Sequence, residues 1–126
     1  MVRRAEASEF FCVATVLPLR SWKHVLPFLV LTVRIRRQLQ ASPGLVRYRL
    51  KAAWLEKRFS TVSVWRSKPA ADAFVRSGPH AYAVKQFQEW AAPGAAFVEW
   101  HSSKPRVAWR DALERLNTPT FTYGAE

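Results

Sequence analysis

A single cysteine, Cys12, stands in a chain of 126 residues. No intrachain disulfide can form, so stability must come from a packed core, and a reducing compartment fits this usage. The four glycines are all isolated. That excludes a Gly-rich phosphate loop and a dinucleotide fingerprint, which need closely spaced glycines to bring backbone against phosphate. The three histidines, His24, His80 and His101, lie far apart, with no carboxylate or thiol at ligand spacing, and nothing suggests a metal site. No nucleophile elbow surrounds any serine. Val25 to Val33 is apolar but too short to span a bilayer, so no membrane association is expected. Phe10 to Leu17 follows Arg3 and Arg4 as a signal-peptide core would. Glu6 and Glu9 intrude, however, and no small-residue cleavage site follows, so the expected location is cytoplasmic.

Acidic residues are also scarce. There are 9 against 20 Lys and Arg, a net charge of +11. Such an excess suits nucleic acid, an anionic surface or an acidic small ligand. The basic residues are spread over every segment, and only Arg34, Arg36 and Arg37 cluster. This pattern favours a solvated basic face over a nucleic-acid track. Apolar residues make up 49% and charged residues 23%, which is ordinary for one globular domain. That domain is expected over residues 9–126, after a loose polar stretch over 1–8. Six tryptophans supply core, pocket or interface material.

Apolar periodicity places the elements. Phe10 to Leu17 reads as a buried strand ended by Pro18. Pro27 suits the first turn of a helix, where its missing N–H costs nothing. Phe28, Leu31, Ile35 and Leu39 then share one face, with Arg34, Arg37 and Gln38 largely elsewhere, until Pro43 and Gly44 stop the helix. Leu45 to Trp54 alternates: Val46, Tyr48 and Leu50 point one way, and Arg47, Arg49 and Lys51 the other. A turn at Leu55 to Lys57 leads into Phe59 to Trp65. On this second strand Phe59, Thr61, Ser63 and Trp65 share a face. Ser67 caps a short helix with Ala70, Ala73, Phe74 and Ser77 inward, and Gly78-Pro79 breaks it. Ala81 to Trp90 is helical, with Val84, Phe87 and Trp90 inward, and Ala95 to Trp100 is a last strand. Val107 to Leu116 is a terminal helix with Trp109, Leu113 and Leu116 as one stripe. Phe121 to Tyr123 is a short extended tail. The order is β-α-β-β-α-β plus a C-terminal helix, an α+β, ferredoxin-like pattern.

The stretch SPGLVRYRL, followed by a hairpin into FSTVSVWRSKPAADAFVRSGPH, resembles the antibiotic-biosynthesis-monooxygenase-like group of dimeric α+β barrels. Ser42-Pro43-Gly44 matches the turn that ends a helix before a strand in that group. Trp65-Arg66-Ser67 matches the strand end that runs into a short helix. The tail FVEWHSSKPRVAWRDALERLNTPTFTYG resembles an uncharacterised branch, and Thr61 to His80 is similar to spheroidene monooxygenase-like proteins. The likeness covers most of residues 10–123. It implies a homodimer packed sheet on sheet, with a pocket between each sheet and its helices. The implied activities are oxygenation of aromatic or polyketide-like substrates without a cofactor, and haem-dependent chemistry. One fold hosts many activities, so the likeness bears on fold more than on reaction.

Five residues are candidates for the site. His80, just past a helix break, would be a general base or, if haem is bound, its axial ligand. The competing reading is a cap whose side chain bonds the last carbonyls of the preceding helix. Trp65 would line the pocket, or belong to the core. Tyr48 would hold a ligand carbonyl or a backbone group, and Ser63 and Thr61 offer hydroxyls on the face of Trp65. Haem-degrading relatives carry a first-strand Asn where this chain has Cys12, Val13, Ala14 and Thr15, which argues against haem breakdown. The leading expectation is a small-molecule oxygenase that deprotonates and orients its substrate without a cofactor. The alternatives are a haem-binding protein or haem-dependent oxygenase, and a non-enzymatic ligand- or nucleic-acid-binding module.

Overall fold

The computed structural model describes residues 9–122. Among them the order is β1 (Phe10–Pro18), α1 (Val25–Gln40), β2 (Leu45–Ala53), β3 (Arg58–Trp65), α2 (Lys68–Val75), α3 (Gly78–Trp90), β4 (Ala96–Ser102), α4 (Trp109–Arg115) and β5 (Phe121–Thr122). The strands form one antiparallel sheet in the order β2-β3-β1-β4-β5, the ferredoxin-like arrangement with an added edge strand. The expected docking of the tail is the pairing of β5 with β4, where Phe97 sits opposite Phe121. Tyr123 and the expected loose stretch over residues 1–8 lie outside the described residues. No helix among the described residues is long and apolar enough to cross a membrane.

Strict alternation on β1 and β3 divides the sheet into two faces. Phe11 pairs with Trp65, Val13 with Ser63, Thr15 with Thr61 and Leu17 with Phe59, and this face meets α1, α2 and α3. The alternate residues Cys12, Ala14, Val62 and Val64, with Val98 of β4, make the other face. Val107 and Ala112 cover it, helped by Trp109 and Leu116. Burial of these apolar faces is the main driving force for folding. Cys12 is inaccessible in this second layer, and burial pushes its thiol up to about 11, so it is an apolar filler and not a nucleophile.

Four details of the helices and β2 differ from the sequence expectation. Val46 does not share the face of Tyr48, because a bulge between Leu45 and Arg47 turns it to the α4 side. On α2 the inward residues are Ala71 and Phe74, whereas Ala73 and Ser77 are exposed. The helix is short and docks through a single turn, so its buried arc is narrow. On α4, Ala112 is the buried residue and Leu113 is exposed. Gly78-Pro79 does break α2, but it also opens α3 directly, with Pro79 in the first turn. His80 therefore sits inside the first turn of α3.

The Ser42-Pro43-Gly44 turn anchors one end of the sheet. Gly44 has φ +87, and a Cβ there would lie 2.6 Å from the Cβ of Ala70. Only glycine permits both the left-handed backbone and the contact with α2. Its carbonyl accepts the Arg66 N–H at 2.8 Å, tying the α1–β2 turn to the end of β3. Ser67 then caps α2, its hydroxyl accepting from the Ala70 N–H.

Candidate functional site

Four of the five candidate residues, His80, Trp65, Ser63 and Tyr48, are linked around one layer. Trp65 closes the end of β3 and is only 1% exposed. Its indole N–H donates to the Ser63 hydroxyl at 2.9 Å, two residues back on the same face of the strand. A buried indole needs such a partner, and Ser63 is committed to it. Phe74 packs on Trp65 with centroids 5.3 Å apart, and the His80 ring lies 4.7 Å from Phe74. Tyr48 joins the same cluster from β2. Thr61 is half-buried on this face, one residue pair from Ser63 along β3.

His80 is held at two points. Its backbone N–H donates to Gln38 Oε1 at 2.9 Å, and its ring Nδ1 lies 3.2 Å from the Val75 carbonyl. Val75 is the last residue of α2, so the capping bond expected of this histidine is present. A carbonyl only accepts, so Nδ1 must carry the proton and Nε2 is left with the lone pair. Burial lowers the imidazole pKa, with the Val75 bond opposing it, so the ring is neutral at pH 7. The result is an oriented imidazole of fixed tautomer whose basic nitrogen takes no part in the cap.

Gln38 is the residue that sequence reading missed. Its Nε2 donates to the Phe74 carbonyl at 2.9 Å and to the Ser77 carbonyl at 2.8 Å, while its Oε1 receives the His80 N–H. One amide thus satisfies both sides of the α2–α3 break, where helix ends leave unpaired carbonyls and N–H groups. The available signal was the break itself. It demands donors and acceptors from a neighbouring helix, but nothing in the pattern says which polar residue of α1 supplies them.

Tyr48 sits at the outer edge of the layer. Its hydroxyl accepts from Gln40 at 3.2 Å. A hydrogen bond with Arg36 holds the phenol below its usual pKa. Leu50, opposite Thr61 on the same face, is 39% exposed. Tyr48, Leu50 and Thr61 therefore mark the part of this face that the helices leave least covered. The other two histidines stand apart. His24 stacks on Trp90 at 5.8 Å, and exposed His101 meets the edge of Phe11 at 5.3 Å.

Two cavities lie away from His80. One, about 50 Å3, opens on the α4 side among Arg47, Arg49 and Arg106, above Val62, Val64 and Val107, with Tyr48 also on its wall. The other is an open groove of about 270 Å3 between Val16, Pro18, Arg58 and Leu113. Haem needs a broad open face at its axial ligand, in a pocket of at least about 300 Å3. Neither cavity reaches His80, and Phe74 lies against its ring, so these residues do not fit haem. Among the described residues no group of three or more His, Cys, Asp or Glu could hold a metal ion.

No family profile matches the sequence, and no curated protein matches it. Solved structures do. A candidate antibiotic biosynthesis monooxygenase from Nitrosomonas europaea superposes with a TM-score of 0.65 at 15% identity, covering 78% of this chain and 94% of that one. A conserved protein from Methanosarcina mazei gives 0.64 at 11% identity, covering 75% and 94%. Another antibiotic biosynthesis monooxygenase gives 0.61 at 13% identity, covering 72% and 95%. Identities this low speak for architecture alone. The chain has the α+β, ferredoxin-like fold of the antibiotic-biosynthesis-monooxygenase-like proteins.

Proposed function

We propose that this protein is a small-molecule oxygenase whose base is His80. The supporting observation is the imidazole itself, neutral and fixed in tautomer by the Val75 carbonyl, with Nε2 left outside that bond. A general base works best when its pKa lies near the working pH and its orientation costs nothing at the moment of reaction. The substrate would be an aromatic or polyketide-like molecule with an acidic C–H, seated on the helix side of the sheet. Tyr48 and Thr61 would contact it at the less covered edge. Trp65 and Ser63 would form the rigid wall behind Phe74 and act by position.

In the proposed reaction Nε2 removes a proton from a methylene flanked by electron-withdrawing groups. The electron pair of the resulting carbanion forms a C–O bond with dioxygen. Return of the proton gives a hydroperoxide, and loss of water leaves a carbonyl. One methylene and one dioxygen thus become one carbonyl and one water, and no external reductant is consumed. The protein supplies the base and the orientation.

The test is oxygen uptake with a panel of phenolic and 1,3-dicarbonyl substrates, on the wild type and His80→Ala. The reading expects uptake that falls by at least about a hundredfold in the variant, as for loss of a general base. Thermal stability should fall far less. Equal activity in the two proteins, no uptake across the panel, or a loss that merely follows unfolding would overturn it.

A further inference from the structure

The basic cavity on the opposite face of the sheet has no part in that chemistry. Arg47 and Arg49 come from β2, on the side of the strand that carries Val62 and Val64 of β3 opposite them. Arg106 comes from the connection between β4 and α4. Lys51 follows two residues along the same strand face. The Arg49 guanidinium lies 5.3 Å from the centroid of the Trp109 ring, and Lys51 Nζ lies 5.7 Å from it. Both cations are therefore set in place by one indole of α4.

Among the described residues no acidic side chain pairs with these cations. The ion pairs among the described residues use Arg58, Lys68 and Arg115, and none uses Arg47, Arg49, Lys51 or Arg106. Three like charges lining a cavity with an apolar floor repel one another, and the low-polarity wall weakens the screening that water would give. Nothing in sheet packing requires arginine at two successive outward positions of β2. The cluster is stabilised if an anion enters. The cavity has the room, with a volume of about 50 Å3. One water needs roughly 10–15 Å3 of such space, so it suits a few waters or a single oxyanion. Guanidinium forks are shaped for two parallel bonds to carboxylate or phosphate.

We propose that Arg47, Arg49 and Arg106 form a binding site for one oxyanion, a phosphate or carboxylate group of a small molecule, between β2 and the β4–α4 connection. Val62, Val64 and Val107 give the site a floor that excludes water beneath the anion. Lys51 adds attraction at its rim. A nucleic-acid backbone presents the same phosphate chemistry, but it would need cations in a row along the surface, whereas these three line one cavity.

The probe is inorganic phosphate, titrated calorimetrically at constant ionic strength held with chloride. The expected result is saturable one-site binding. Arg47→Gln and Arg106→Gln should each weaken it by roughly ten- to hundredfold, the effect of losing one charged hydrogen-bonding partner. Arg110→Gln, a basic residue of α4 outside the cavity, should leave it unchanged. All three side chains are at least partly exposed, and an unchanged circular dichroism spectrum checks that the variants fold. Absence of saturable heat would overturn the site, as would equal weakening by Arg110→Gln. A short single-stranded oligonucleotide separates the two phosphate sources. Competition with phosphate that is lost in Arg47→Gln supports the site. Oligonucleotide binding that phosphate does not displace and Arg47→Gln does not change would assign the charge to a surface track and overturn it.

Discussion

The two faces of the sheet solve the same problem with different completeness. The helix side is closed around Trp65 and paired at the helix break, and is less covered at Tyr48, Leu50 and Thr61. Trp65 is 1% exposed with its N–H bonded, Phe74 fills the space beside it, and Gln38 makes three hydrogen bonds across a helix break. The α4 side is covered by a single short helix and keeps a cavity and arginines that form no ion pair among the described residues at the β2 edge. The contrast teaches where to look for different kinds of chemistry. A closed layer can aim one group, as it aims His80. An incompletely covered layer can receive a ligand without moving.

Substitutions sharpen that contrast, beginning with the largest expected effect. Trp65→Ala should cost about 3–5 kcal/mol of stability in urea unfolding, because the packed helix side cannot collapse around the void. Trp109→Ala, on the half-covered side, should cost distinctly less. Equal losses would mean that the two faces are packed alike. Gln38→Ala should cost about 0.5–1.5 kcal/mol, the net worth of hydrogen bonds to partly exposed backbone groups. It should also free the first turn of α3 and speed amide exchange at His80, and an unchanged exchange rate would remove Gln38 from its clamping role. Smallest of all, Arg49→Gln should change stability by no more than about 0.5 kcal/mol, since losing an exposed cation–π contact with Trp109 is offset by relief of repulsion among the arginines. A gain at the upper end of that range would fit relief of repulsion at the basic cavity.

Much of the fold was legible in the residues because it rests on periodicity. The alternation in Phe59 to Trp65 and the Pro-Gly turn at Gly44 carry information locally, and each survives in the structure. Ser67 as a cap is equally local. The errors lie where neighbours decide. The bulge that turns Val46 needs knowledge of its partner strand, and the inward arc of α2 depends on how a helix of only two turns docks. The candidate site was legible in part. Trp65, Tyr48, Ser63 and His80 do share one layer, as their positions on strands and at the helix break implied. Gln38 was not, because its partners lie 36 to 42 residues away in sequence. The basic cavity was half legible. Arg47 and Arg49 share a strand face by alternation, but Arg106 reaches them only through the fold.

The proposed function rests on His80 as a neutral, oriented base. Its protonation is linked to stability, and the sign follows from burial. The folded pKa lies below the ordinary 6.5, so the unfolded chain takes up its proton first as pH falls. The contribution of His80 is complete above 6.5 and is lost as pH falls from there to the folded pKa. The most direct measurement is nitrogen NMR of the imidazole through a pH titration, with His80→Gln used to assign the signals. An Nδ1–H tautomer at pH 7 and a midpoint below 6.5 are expected. A proton on Nε2, or an imidazolium persisting at pH 7, would contradict this role of His80.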